Sequence, residues 1–522
     1  MYEKVHRVEL LPLTKDTVKA VSEASQPGVP LTDDIISQLL ADSEGNLFLL
    51  KEYLMALKTT GSLDNLTENV RTIFRNGCAA LSDEERKILD FIALFCDGAP
   101  LAMISEYMHL NNIQVLESLE VLEKTGFIKA IPQQPEVLYE IIQQKLASYV
   151  KQQIHGKWRI LHSYVAGLWE KRLTHSTQDI RIYRHLEYHY KESGELVNMG
   201  RYKLKTLMYY LNFSNELFPV LDVTGGVEES RLESSSLELH LDELVSEVDE
   251  MMHTIHRTYG ETSEVKDLDM TYLHLMGCHY IRTGEYEKGV RNILSLVEIA
   301  SEVRNLDYLL MGYKQMIYYD IQIGNTEEMR NYLELALNVA DECNYHKEMG
   351  ILLRLKGLNM IMQGNFSEAE RLLKESISTF MVTQSVQRRY ALNIAGAYNY
   401  LGEIRRGMGR YQEALDYYDK AMEYARDQDA YSSWVVFSCN AGVVCYAMGR
   451  YEQAEKYFRQ AYELFPRYNF CWRHPIVEAY LALLSMRKEQ EKEAECFLDD
   501  AVQKLSKMNN PREAGYVYMA IA

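Results

Sequence analysis

The sequence predicts an all-α protein, most of which forms a superhelix of repeated helical hairpins. Five glycines in the second half of the chain recur at intervals of 40, 40, 45 and 40 residues: Gly284, Gly324, Gly364, Gly409 and Gly449. Glycine supplies the backbone freedom that the end of a helix needs, so each position is predicted to be the turn between two antiparallel helices. Proline is scarce, at 10 of 522 residues, which favours long unbroken helices.

The residues around these turns repeat as well. An aromatic residue stands two positions after four of them: Tyr286, Phe366, Tyr411 and Tyr451. An alanine stands five positions after the last three turns, and also after Glu489, where the pattern continues without glycine: Ala369, Ala414, Ala454 and Ala494. Small residues let paired helices approach closely, while large apolar residues fill the space between hairpins. The pattern resembles the tetratricopeptide repeat, in a long variant of about 40 residues instead of 34, over roughly residues 265–505.

This resemblance implies a domain of tetratricopeptide-like repeats over residues 265–522, with the last repeat incomplete. One step of 40 from Ala482 reaches Ala522, so REAGYVYMAIA is expected to open a seventh hairpin. An irregular helical region over 179–264 precedes the repeats. It contains a degenerate repeat with its turn at Gly194, a polar loop over 224–236, and an amphipathic helix that ends at Gly260.

Two phrases near the start resemble another family. VELLPLTKDTVKAVSEA predicts a short strand and a helix capped by Thr14, and SEGNLFLLKEYLMAL predicts a turn before an apolar helix. They are similar to the end of the nucleotide-binding module in STAND-class signal-transduction ATPases, a family that includes many large bacterial regulators. The resemblance implies that residues 1–60 are the end of an ATPase core and a remnant of its helical lid. Leu47 stands where relatives usually have proline.

Residues 61–135 are predicted to form a winged-helix-like domain, with a helical linker over 136–178. In LSDEERKILDFIALF, Ser82 and Glu85 form a capping-box pattern. Two further helical stretches follow, and FIKAIPQQPEVLYE predicts a β-hairpin. STAND-class ATPases carry such a domain directly after the lid. Ile141 replaces a histidine that is thought to sense nucleotide phosphates in that family, so the resemblance does not extend to nucleotide sensing.

Charge and composition argue against nucleic-acid and membrane partners. With 56 basic and 75 acidic residues, the chain has a net charge of −19. The second helix of the winged-helix-like domain, 112–125, carries Glu117, Glu120 and Glu123 against Lys124, so a phosphate backbone would repel it. The sequence shows neither a signal peptide nor an apolar membrane span. Eight scattered cysteines without a Cys-x-x-Cys pair indicate reduced thiols in a cytoplasmic protein.

The chain shows no catalytic motif. A P-loop needs G-x-x-x-x-G-K-[ST], and the single Gly-Lys pair, in GKW at 156–158, does not fit it. The pairs His185 with His189 and His253 with His256 could each share a helix face, but no third metal ligand accompanies them, which favours structural roles. We therefore expect that this chain is not an enzyme and binds no metal or cofactor, with ATP bound only by a missing N-terminal module.

A ladder of polar residues marks the candidate ligand site. Ten residues before the first four turns stand His274, Lys314, Arg354 and Asn399, which are cationic or hydrogen-bonding side chains. Tetratricopeptide superhelices commonly bind partners on the concave face, which is lined by the first helix of each hairpin. Stacked repeats would align these residues along one surface suited to a peptide or an acidic ligand. The alternative is that these side chains merely solvate an exposed helix face.

These observations predict a regulatory or signalling protein. Its repeats would bind an inducer or a protein partner and control a STAND-type ATPase or an attached output domain, such as a transcription regulator or a cyclase. The resemblance also leads us to expect that both ends are cut from a longer protein. The alternative is a free-standing tetratricopeptide scaffold or peptide-sensing receptor that mediates protein–protein interaction. Self-association is compatible with either reading, and no residue of the irregular region supports a third, enzymatic one.

Overall fold

A computed structural model describes residues 14–25, 32–43, 47–60, 68–133, 136–174, 179–215, 234–427, 430–465, 473–505 and 511–522. Within these ranges the chain forms 26 α-helices, one 3-10 helix and three short strands. The prediction of an all-α fold built mainly from tetratricopeptide-like hairpins is therefore confirmed. The chain divides into two compact units, Met1–Met199 and Gly200–Ala522.

The first unit contains ten helices and one small sheet within its described residues. The helices are α1 (Lys15–Ser25), α2 (Asp33–Ser43), α3 (Leu47–Thr60), α4 (Glu68–Ala79), α5 (Asp83–Ile92), α6 (Leu101–Met108), α7 (Asn112–Lys124), α8 (Gln144–Gln153), α9 (Trp158–Glu170) and α10 (Ile180–Ser193), with a 3-10 turn at His155–Lys157. The strands are β1 (Ala99–Pro100), β2 (Ile128–Gln133) and β3 (Glu136–Ile141). Helix α11 (Leu196–Asn215) contains the division between the units.

Helices α4 to α7 and strands β1 and β2 lie within residues 61–135, the predicted winged-helix-like domain. The capping box at the start of α5 is present: the Glu85 backbone N–H donates to Ser82 Oγ at 3.2 Å, and the Ser82 N–H donates to Glu85 Oε2 at 2.8 Å. Strand β3 lies between β1 and β2 and is antiparallel to both. The predicted hairpin is therefore present, and β1 adds a third strand that the sequence did not indicate.

Strands β2 and β3 pair along their whole length on either side of the boundary predicted between residues 135 and 136. Residues 136–141 are a strand, and the predicted helical linker begins only at Gln144. Thr14 does cap α1, since the Thr17 N–H donates to Thr14 Oγ1 at 3.3 Å. The strand predicted before Thr14 and most of the loop predicted over 224–236 lie outside the described residues.

Helix α12 (Ser234–Tyr259) leads into six hairpins in the second unit. Each hairpin joins a first helix to a second helix: α13 (Ser263–Thr283) and α14 (Tyr286–Glu302), α15 (Leu306–Ile323) and α16 (Thr326–Glu342), α17 (His346–Met362) and α18 (Phe366–Phe380), α20 (Ala391–Gly407) and α21 (Tyr411–Arg426), α22 (Tyr431–Ala447) and α23 (Tyr451–Leu464), α24 (His474–Arg487) and α25 (Glu491–Leu505). The short α19 (Gln384–Arg389) lies within the one 45-residue interval. Helix α26 (Pro511–Ile521) packs against α24 and α25.

All five predicted turn glycines have left-handed backbone conformations, with φ between 72° and 88°. The sixth turn has the same conformation without glycine, at Glu489, where φ is 60°. Hydrogen bonds explain why: the N–H of Arg450 donates to the Cys445 carbonyl at 2.9 Å, and the N–H of Gln490 donates to the Ser485 carbonyl at 3.0 Å. The hydrogen bonding of the repeat therefore holds this turn in the left-handed conformation whether or not its residue is glycine.

Close packing within the hairpins depends on glycines seven residues before the turn. A methyl group added at these glycines would lie 2.4–2.9 Å from a large side chain of the second helix, in the pairs Gly277–Ile293, Gly357–Leu373, Gly402–Tyr418 and Gly442–Phe458. All four large side chains are fully buried. The absent Cβ thus gives the second helix the space for its core residue.

Candidate functional site

The four ladder residues lie on the first helices of consecutive hairpins, at the predicted register. His274 lies on α13, Lys314 on α15, Arg354 on α17 and Asn399 on α20. They are largely enclosed by neighbouring helices. The solvent-exposed fraction is 3% for Arg354 and 2% for Asn399, and it is 15% for the side chain of Lys314. The ladder residues therefore do not lie on an exposed helix face where they would only contact solvent.

His274 is a neutral member of the ladder. Burial, assisted by the nearby Lys314 charge, lowers the pKa of His274 to about 4. Its Nε2 lies 3.6 Å from Cys278 Sγ, and the Cys278 thiol donates to Gln315 Oε1 on the next first helix at 3.2 Å. Because His274 is uncharged near neutral pH, the cationic part of the ladder consists of Lys314 and Arg354.

Both cations bind the first helix of the following hairpin. Lys314 Nζ donates to Glu348 Oε2 at 3.0 Å. Arg354 Nη2 donates to Asn393 Oδ1 at 3.2 Å, and the guanidinium lies 5.9 Å from the ring centre of Tyr400. Each acceptor stands six residues before the next ladder residue, so the two contacts have the same register. The repeat geometry therefore produces one kind of inter-hairpin bond with two different residue pairs.

Asn399 continues the chain of contacts with a neutral bond. Asn440 on α22 donates through Nδ2 to Asn399 Oδ1 at 2.8 Å. The Asn399 amide is thus held in place by the first helix of the next hairpin.

Beyond Asn399, a second polar chain joins the fourth hairpin to α26. Tyr418 donates to Glu403 Oε1 at 2.6 Å. Arg406 donates through Nη2 to Glu403 Oε2 at 2.8 Å and through Nη1 to Tyr516 Oη at 2.6 Å. Arg406 and Tyr516 are 110 positions apart in the chain, so this bond joins the first helix of the fourth hairpin, α20, to α26.

Sequence reasoning missed the partners of the ladder: Glu348, Asn393 and Asn440. One signal for two of them was available, since Glu348 and Asn393 both stand sixteen residues before their own turn glycine. A polar residue at that position, one repeat after a cationic ladder residue, indicates a bond between hairpins. Asn440 occupies a different position, nine residues before its turn, and carried no comparable signal.

Three histidines of the two predicted pairs have structural partners. His189 lies 2.9 Å from His162 between their Nδ1 atoms, and His185 stacks on Trp169 with ring centres 4.2 Å apart. His256 Nε2 lies 2.7 Å from Asp269 Oδ1. Across the part of the chain that the structure describes, no group of three or more histidine, cysteine, aspartate or glutamate residues is arranged to hold a metal ion.

No helix within the described ranges is both long and apolar enough to cross a membrane. The cysteines in those ranges, seven in number, are free thiols.

A comparison with protein families matches part of the repeat region. Residues 393–467 match the family model for the tetratricopeptide repeat. No curated protein matches the chain. Similar solved structures include the STAND protein with a tetratricopeptide repeat sensor from Pyrococcus horikoshii, which is 15% identical, with 98% of this chain and 73% of that chain covered and a TM-score of 0.47.

Two further structures are similar to parts of the chain. NprR in complex with its cognate peptide NprX is 15% identical, with coverage of 60% of this chain and 88% of that chain and a TM-score of 0.39. The Rap protein complexed with Competence and Sporulation Factor is 13% identical, with coverage of 69% and 96% and a TM-score of 0.45. These distant likenesses carry no functional argument. The family match spans nearly all of helices α20 to α23.

Proposed function

We propose that this protein is regulatory and that its repeats bind a peptide or protein partner along the ladder His274, Lys314, Arg354 and Asn399. The main support for this proposal is that the contacts of the ladder residues recur at equivalent positions in successive hairpins. Cationic and amide groups are held in line along the first helices by bonds from one hairpin to the next. A partner with peptide carbonyls or acidic side chains fits such a row of donors.

The same contacts stabilise the stack of hairpins, so a test must separate binding from folding. Arg354 is a poor first target, because its removal would leave the buried Asn393 amide without its donor. Asn399 is a better one, because it is neutral and its replacement by alanine removes one bond to Asn440. Asn331, exposed on the second helix α16, offers a matched asparagine away from the ladder.

The experiment selects ligands from a displayed library of random short peptides, with the whole chain as bait. We expect the enriched peptides to bind Asn399→Ala about tenfold more weakly than the wild type, since one buried hydrogen bond to the ligand is lost. Asn331→Ala should bind within about twofold of the wild type. Equal affinities for the wild type and Asn399→Ala, with both chains folded by circular dichroism, would refute the ladder as the binding surface.

More specifically, we propose that the chain is the regulatory portion of a STAND-type ATPase or of a protein with an attached output domain. The support is the similarity of the phrases around Thr14 and Leu47 to the end of that ATPase module. The chain itself is expected to be non-enzymatic, to bind no cofactor or nucleic acid, and to be cytoplasmic. Purified chain should hydrolyse ATP no faster than buffer. Turnover that a point substitution within the chain abolishes would contradict this.

The second candidate is a free-standing tetratricopeptide scaffold. It is favoured by the family match, which falls entirely within the repeats. The coding DNA around this sequence separates the two, because a Walker A motif in frame upstream of Met1 supports the ATPase reading. A promoter and a stop codon directly flanking the sequence support the scaffold.

A further inference from the structure

A surface groove of about 540 Å³ runs along α14, the second helix of the first hairpin. Its apolar lining consists of Tyr286, Val290 and Leu294 from α14 and of Tyr319 from α15. The ring centres of Tyr286 and Tyr319 lie 5.5 Å apart, and both rings pack with Val290 against the core between the first two hairpins. Leu294 is 47% exposed. The core therefore holds most of the groove in place, while its leucine is open to solvent.

This apolar lining is an exception among the second helices. Leu294 stands ten residues after its turn, and that position carries a charged residue in the other five hairpins: Glu334, Lys374, Asp419, Arg459 and Asp499. Val290 stands six residues after the turn, where four of the other five hairpins have a charged residue: Arg330, Glu370, Glu455 and Glu495. The stack of hairpins therefore does not require apolar residues on this face, and an exposed apolar patch often marks an interaction surface.

Three charged side chains of α14 border the groove: Glu287, Arg291 and Glu298. Within the part of the chain that the structure describes, these three side chains form no ion pair. By contrast, Arg459, at the Leu294 position of the fifth hairpin, lies 3.0 Å from Glu455 and 3.2 Å from Glu493. The groove thus has one acidic group toward each end and one cation between them.

The spacing of the apolar side chains suits a helical ligand. Tyr286, Val290 and Leu294 recur every four residues, so they form a ridge of α14 beside which the side chains of a second helix can pack. Glu287 and Glu298 are separated by about 16 Å along the helix axis, which is about three helical turns. A ligand helix with apolar residues at i, i+4 and i+7 fits between these two carboxylates.

We propose that this groove binds an amphipathic helix of a protein partner. The apolar stripe of that helix packs against Val290, Leu294 and the two tyrosines, and its flanking lysine or arginine residues pair with Glu287 and Glu298. Two acids against one base at the groove, in a chain with a net charge of −19, favour a basic partner. No ladder residue lines the groove, so failure of this proposal would leave the ladder proposal unaffected.

The test uses a fluorescein-labelled helical peptide of leucine and lysine, about 18 residues long, with all leucines on one face. One matched peptide has glutamate in place of lysine, and another has the same composition with the leucines spread around the helix. Fluorescence polarisation at physiological ionic strength measures their binding to the whole chain and to Leu294→Glu and Glu298→Gln. The control variants are Leu335→Glu and Glu334→Gln, because both residues are exposed on α16 and lie outside the groove.

We expect Leu294→Glu to weaken binding of the basic amphipathic peptide by about tenfold or more, and Leu335→Glu by less than about twofold. Glu298→Gln should weaken it by about two- to fivefold, with Glu334→Gln close to the wild type. Both matched peptides should bind the wild type more weakly than the basic amphipathic peptide.

The proposal is overturned if the wild type does not bind the basic amphipathic peptide, or if Leu294→Glu and Leu335→Glu weaken binding equally. Equal binding of the acidic peptide or of the peptide with spread leucines would also overturn it. Sedimentation velocity tests a second copy of this chain as the occupant, since self-association that Leu294→Glu abolishes would replace the partner helix. Circular dichroism checks folding, and if Leu294→Glu does not fold, Glu298→Gln against Glu334→Gln decides the outcome.

Discussion

Replacing Glu489 by glycine should stabilise the sixth hairpin. Glu489 is exposed and has a left-handed φ of 60°, where the other five repeat turns have glycine. A left-handed conformation costs a residue with a Cβ about 1–2 kcal/mol, and the greater freedom of glycine in the unfolded chain costs about 0.4–1 kcal/mol. The expected net stabilisation is about 0.5–1 kcal/mol, obtained without any new contact.

Native-state hydrogen exchange on the whole chain is the suitable assay, because it reports the stability of individual helices. Exchange in α24 and α25 should slow by about two- to fivefold in Glu489→Gly. The matched control is Gly449→Ala, where φ is 74° and an added Cβ would meet no atom within 4 Å, so exchange in α22 and α23 should become faster. Unchanged or faster exchange in α24 and α25 of Glu489→Gly, with the control behaving as expected, would refute the argument.

Two other substitutions test packing and pH dependence. Gly402→Ala should destabilise the fourth hairpin by about 1–3 kcal/mol, measured by hydrogen exchange in α20 and α21, because the new methyl would lie 2.5 Å from the buried ring of Tyr418. Burial lowers the pKa of His162 to about 4 and lowers that of its partner His189. The unfolded chain takes up protons near pH 6.5 while this pair stays neutral, so stability is present above pH 6.5 and is lost as pH falls. The loss for His162 is about 2 kcal/mol by about pH 5, and His162→Phe should show a smaller change in urea midpoint over that range.

Much of the repeat architecture follows from the spacing of glycines. All five turns, the end of α12 before Gly260 and the turn at Gly194 were predictable, because glycine marks helix ends. Strand β1 was not predictable, because a two-residue strand exists only through its pairing with β3. The pairing of β2 with β3 links residues on both sides of the boundary predicted between residues 135 and 136.

The positions of the ladder residues could be predicted from the sequence, but their contacts could not. A period of 40 residues places Lys314 and Arg354 in the same register, whereas the rotation between hairpins decides that they meet Glu348 and Asn393. The neutral state of His274 was not predictable from the sequence either. Its neutrality results from burial and from the neighbouring Lys314, and both depend on packing between hairpins.

The central claim is that the first helices of the hairpins form the partner-binding surface. A hydrogen-exchange map of the whole chain, with and without a peptide selected from the random library, tests it most directly. We predict that the bound peptide slows exchange in α13, α15, α17 and α20 and leaves residues 68–133 unchanged. Protection confined to the second helices α14, α16, α18 and α21, or to the first unit, would contradict the claim.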